Sequence, residues 1–201
     1  RKLEANVYRN YIDHVMDNYS MRALKPGAKP ALSNPDRDTV GGRVAATLQL
    51  TPATRLVTGL DAQSNQHTLR TGTDYQSRPR IDNAEYRQLG VFGEVRHEWD
   101  DTQRLIGGLR VDHWKADDER STPGLATAGA SRSETLPSGF VRWERDIDPG
   151  HGTVYAGLGH VQRFPDFWET VGGNRFSETG NSAFHTRPEK TTQLDVGASW
   201  K

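Results

Sequence analysis

Apolar side chains recur at every second position in eight separate stretches of this chain, a period that suits half-buried β-strands and fits no helix. Leu3, Ala5 and Val7 alternate with Glu4, Asn6 and Tyr8. Val40, Val44, Ala46, Leu48 and Leu50 alternate with Arg43, Thr47 and Gln49, and Leu56, Leu60 and Ala62 with Asp61, Gln63 and Asn65. The pattern returns from Leu89 to Trp99, Leu105 to Asp112, Val141 to Glu144, Val154 to Leu158 and Leu194 to Trp200. An all-β chain of about eight antiparallel strands is expected, each with one apolar and one polar face.

The connections sort by length. "TPAT" at 51–54, "DDT" at 100–102 and "DPGHG" at 148–152 are compact turn-formers, whereas the polar links near 17–38, 71–84, 115–134 and 165–190 are long. Long and short links in strict alternation suit a transmembrane β-barrel, with brief turns on one side and extended loops on the other. Trp99, Trp143 and Trp200 fall on the apolar face near the short-turn ends. An aromatic girdle sits at that level, with its rings in apolar surroundings and its N–H groups wet. A Lys or Arg facing lipid at mid-membrane costs about 2–4 kcal/mol, and here the apolar face carries charge only near strand ends, as at Arg87 and Arg145. Arg9 is the misfit. It marks either the upper rim of the first strand or a bulge that shifts register.

Composition agrees with this reading. Hydrophobic residues are 33% of the 201 and the mean hydropathy is -0.80, short of core material for a soluble fold of this size. A barrel with a polar lumen needs apolar side chains on one face only. Lys and Arg balance Asp and Glu at 26 each, which argues against a nucleic-acid partner. Without cysteine there is no disulfide framework and no thiolate zinc site. No run of about 18 apolar residues spans a membrane as a helix. The chain opens mid-alternation with "RKLEANVYRN" and shows no signal peptide, so a fragment of a longer protein is expected. "HEWDD" at 97–101 lacks the second histidine of a zinc-protease helix, "GLGH" lacks the helix of a phosphate cradle, and no Gly-x-Ser-x-Gly elbow occurs. An enzyme is not expected.

From "YAGLGHVQRFPDFWETVGG" through "NSAFHTRPEKTTQLDVGASWK" the chain resembles the TonB-dependent outer-membrane receptors. In that family a barrel strand commonly ends in an Arg-x-Pro element followed by an acidic residue, here Arg163, Pro165 and Glu169, and the next strand starts with a Pro-Glu-Lys-like element, here Pro188, Glu189 and Lys190. The resemblance implies a 22-stranded plugged barrel in the outer membrane of a Gram-negative bacterium, with residues 1–201 forming part of one barrel domain. It also implies lipid around the barrel and energy from the TonB-ExbB-ExbD complex through a plug that has no counterpart here.

"IDHVMDNYSMR" holds both methionines, Met16 and Met21, with His14 two places before the first. The stretch resembles the copper receptors of the same family, in which a His-x-Met pair on the barrel joins a Cys-x-x-x-Met pair on the plug. His14 and Met16 match the barrel half. Imidazole and thioether suit copper, Cu(I) or Cu(II), as the transported ion. Spacing i, i+2 puts both on one face of a strand, counted from Glu4, Asn6 and Asn10 as the lumen side, near the extracellular mouth. The bland alternative makes His14 a wet loop residue and Met16 a strand-end contact, and Met21 fits solvated filler. Two other functions stay open. One is uptake of a ferric siderophore or other chelate held by Tyr75, Arg78, Arg80 and Phe184, and the other is a small non-transport barrel or β-sandwich binding module. The carboxylates Asp117, Asp118 and Glu119, like Asp36 and Asp38, suit solvated loop charge better than a calcium site.

Overall fold

Pairing register sorts the side chains of this chain onto two unlike faces of one antiparallel sheet. The computed structural model describes residues 1–121, 127–148, 150–172 and 184–200. Its strands are β1 (Lys2–Asp13), β2 (Met16–Asp17), β3 (Leu32–Thr51), β4 (Thr54–Thr71), β5 (Ile81–Glu98), β6 (Gln103–Asp118), β7 (Ser131–Asp148), β8 (Gly152–Arg163) and β9 (Glu189–Trp200). They lie in the order β1-β3-β4-β5-β6-β7-β8-β9, with β2 continuing the edge of β3 beyond β1. All eight expected strands are present. The ninth, Met16–Asp17, falls at the start of what the alternation left as a polar link. Several strands run further than the apolar pattern, β3 starting at Leu32 and β5 at Ile81. Among the described residues no second sheet packs on the first, so a β-sandwich does not form.

One face is apolar along whole register rows. Leu48 faces Leu56, Leu56 faces Val95, and the row runs on through Gly107, Val141 and Leu158 to Leu194. Leu109 is 75% exposed and Leu194 71%, so this face has no partner within the chain. The opposite face is polar: Arg110 reaches Asp61 at 2.7 Å and Asp112 at 2.6 Å. Another row starts apolar, with Val7, Gly42, Ala62 and Leu89, and turns polar at His113 and Thr135. The apolar band therefore crosses the rows obliquely, as tilted barrel strands require.

The short turns lie at one end, as the link lengths predict. At the β5–β6 turn Asp100 Oδ1 accepts the backbone N–H groups of Thr102 and Gln103, each at 2.8 Å, and these bonds hold its carboxyl down at about 2. Gly150 turns the β7–β8 link with a φ of 88°, open to glycine at little cost. Trp143 donates its indole N–H to Gln103 at 3.3 Å, so its polar edge points toward the short-turn end. Arg9 pairs with Asp38 at 2.5 Å while the β1–β3 ladder runs unshifted from Lys2 to Asp13. That excludes a bulge and leaves Arg9 at the upper rim. Pro149 and the middles of the third and fourth long links lie outside the described residues.

Candidate metal site

β1 stops at Asp13 because the next residue opposite it on β3 is Pro35, which has no N–H to give. His14 still donates its backbone N–H to the Pro35 carbonyl at 3.0 Å. The return bond comes from a side chain instead, Asn34 Nδ2 donating to the His14 carbonyl at 3.0 Å. No residue is inserted, since Met16 faces Ser33 just as Asp13 faces Asp36. His14 and Met16 therefore keep the same side of the ladder.

They do not share a cavity. His14 lines a cavity of about 520 Å³ on the polar face with Tyr8, Asn10 and Ile12, while Met16 lines a separate one of about 490 Å³ with Ser33, Thr71 and Gly72. Both side chains are exposed. The arrangement is two successive donors on a fixed backbone, not a closed chelate. Among the described residues no three His, Asp or Glu side chains gather as a metal cage.

What fixes that backbone is a charged clamp. Asn34 is fully buried. Its Nδ2 also donates to Asp13 at 2.5 Å, and its Oδ1 accepts from Arg70 at 2.6 Å and Arg80 at 3.3 Å. Arg80 pairs with Asp13 and Asp36, both at 3.0 Å, and Asp36 accepts the Tyr11 hydroxyl at 2.8 Å.

The far wall of the His14 cavity was not expected. The link after β8 is polar in outline, yet its first residues fold back over the polar face and end in a π-helical turn, Trp168–Gly172. Phe167 stacks on His67 with ring centroids 4.2 Å apart and planes 4° from parallel. Phe164 stacks on Trp114 at 5.6 Å, and Tyr86 and Thr170 share a hydrogen bond between their hydroxyls. With Ala84, Ala116, Leu136, Val171 and Phe184 these residues make a buried apolar cluster. Full burial of each large side chain contributes about 1.5–3 kcal/mol. A signal for it exists in the sequence: Ala84, Tyr86, Ala116 and Leu136 are apolar positions on the polar face of β5, β6 and β7.

Arg163 locks this segment, its guanidinium donating to both Glu169 oxygens at 2.8 Å and to Glu189 at 2.8 Å. The Arg163 contact, with the Asp166 backbone N–H behind it, holds the Glu169 carboxyl well below its usual range, at about 2. Residues of the Arg-x-Pro and Pro-Glu-Lys elements thus meet in space.

The remaining expected residues are spent on neighbours. Tyr75 lies under Arg70 at 5.0 Å, Arg78 pairs with Asp74 at 2.8 Å, Arg80 belongs to the clamp, and Phe184 is buried. Asp117 pairs with Lys115, Asp118 with Arg120, and Glu119 accepts Gln66 at 2.6 Å. Met21 is exposed at the surface.

A family model described as "TonB dependent receptor-like, beta-barrel" matches residues 2–201. Among solved structures, the chain is similar to "Copper transporter OprC", with 42% identity, a TM-score of 0.90, and coverage of 99% of this chain and 33% of that one. A chain in "Structure of the FpvAI-pyocin S2 complex" shares the fold at 16% identity and a TM-score of 0.53, covering 98% of this chain and 27% of that one. The chain thus spans about a third of the solved structures it resembles. No curated protein matches it.

Proposed function

The chain belongs to the TonB-dependent receptor-like β-barrel family, and on that premise we propose that it is one segment of an outer-membrane receptor that takes up copper by TonB-driven transport. Lipid covers the face bearing Leu48, Val91, Leu109 and Leu194, and the face bearing His14 lines the lumen. The strands do the crossing, and no helix among the described residues is long and apolar enough to do so. His14 and Met16 supply an imidazole and a thioether in succession near the long-link end, where an incoming ion arrives first. Remaining ligands come from the plug, and pulling on the plug by TonB-ExbB-ExbD releases the ion inward.

The observation that carries this reading is the 42% identity to a copper transporter over 99% of this chain, and the unshifted register that keeps His14 and Met16 on the same side of the ladder supports it. Copper accumulation by cells that depend on the full-length receptor tests it. Accumulation falls when His14→Ala and Met16→Ala are combined. Accumulation unchanged in that variant, or suppressed by a ferric chelate, transfers the cargo to the chelate.

A further inference from the structure

Trp168 is 51% exposed, although Phe164, Pro165 and Phe167 just before it are buried. It lines the His14 cavity on the polar face, away from the apolar band, so lipid does not account for an open indole there.

The path of the docked segment puts this ring at its far reach. Phe164 stacks on Trp114 of β6 and Phe167 on His67 of β4, so the segment advances across the sheet toward β3 and β1. It then turns back. The Thr170 hydroxyl bonds Tyr86 of β5, and the Val171 carbonyl accepts Arg120, just past β6, at 3.1 Å. Trp168 stands at the turning point, across the cavity from His14 on the β1 side. Its backbone N–H donates to Asp166 Oδ1 at 2.9 Å, and Arg163 clamps the next residue, Glu169. Phe167 meets the indole at 5.1 Å with planes 74° apart. An edge-to-face contact covers at most one face of the indole, and the other stays open.

The charges in this cavity offer a cation little. Asp36 is engaged by Tyr11, Thr68 and Arg80. Asp166 caps the turn, accepting the backbone N–H groups of Trp168 and Glu169, and the exposed Arg37 on the same cavity opposes its charge. An indole face attracts a cation without carrying a charge that needs neutralising when the cavity is empty.

We propose that Trp168 is a further contact for copper held by His14, its open indole face attracting the ion from the docked segment. The inference rests on the copper reading above. A cation within about 6 Å of the ring centroid is attracted, most strongly by Trp, and a half-exposed ring belongs at the weak end of the range, about two- to fivefold in affinity. Cu(I) is soft and exchanges water for such a contact, whereas Zn(II) takes the imidazole and keeps its oxygen ligands.

Anaerobic Cu(I) titration of the full-length receptor against a chromophoric Cu(I) chelator tests this, with Zn(II) titrated in parallel. Trp168→Leu weakens Cu(I) about two- to fivefold and leaves Zn(II) unchanged, and Trp168→Phe recovers part of the loss. Cu(I) quenches an indole emission in the unmodified receptor that is missing from Trp168→Phe and that His14→Ala no longer quenches. The Thr170 N–H keeps its exchange protection in both Trp168 variants, which separates ion contact from docking. Cu(I) affinity unchanged in Trp168→Leu, equal weakening of Cu(I) and Zn(II), or a loss that tracks Thr170 protection overturns the inference. Failure of the copper reading itself looks different: an unmodified receptor that binds no Cu(I), or one that binds it as tightly after His14→Ala and Met16→Ala are combined.

Discussion

Asn34 supplies to the His14 carbonyl, at 3.0 Å, the hydrogen bond that Pro35 cannot make. The donor histidine of the proposed copper site is thus positioned by a buried amide, itself held by Arg70 and Arg80. Asn34→Ala removes that support without touching either ligand. Supporting groups of this kind change metal affinity by about 10–100-fold, and the lower end is expected here because both ligands stay in place. Pro35→Ala in the same background restores a backbone donor opposite His14 and recovers part of the loss. Copper titration of the full-length receptor and both variants checks it.

The two faces make a second prediction. Leu109→Arg places a cation in the apolar band and costs about 2–4 kcal/mol. Gln193→Arg, on the polar face beside Asp195 at 2.8 Å in the native chain, stays near neutral. Denaturant unfolding of the full-length barrel in lipid compares them, and equal costs would mean both faces are wet.

A third concerns the segment folded over the lumen. Phe167 is buried and stacked on His67, so Phe167→Ala costs the docked segment about 3–5 kcal/mol while the strands stay paired. Hydrogen exchange reads the difference. The Thr170 N–H, bonded to the Asp166 carbonyl at 3.1 Å, loses protection, and the amides of β5 and β6 keep theirs.

How the segment responds to acid follows from Glu169. Its folded carboxyl titrates at about 2 against an ordinary 4.5, chiefly through Arg163. The group binds fewer protons folded than unfolded, so its contribution is complete above 4.5 and lost as pH falls toward 2. Solvent reaches both partners, which limits the pair to about 0–1 kcal/mol. Fluorescence of the nearby Trp168 is expected to report loosening over that window, and Glu169→Gln removes the dependence.

Much of this architecture is legible in the residues because hydration alternates strand by strand. Leu48, Val91, Leu109 and Leu194 announce one face, and turns such as "DDT" announce one end. Other features depend on register between distant segments, which no local pattern contains. Pro35 breaks the ladder at His14 only because β3 meets β1 in that alignment. Phe164 and Phe167 read as part of a polar link until Tyr86, Ala116 and Leu136 give them an apolar seat. Separate cavities for His14 and Met16 likewise belong to the three-dimensional path past Pro35.

A crystal of the full-length receptor grown with copper, measured on both sides of the copper absorption edge, tests the central claim most directly. An anomalous peak within bonding distance of the His14 imidazole and the Met16 sulfur is the expected result. A peak elsewhere, with His14 and Met16 both bare, would contradict it.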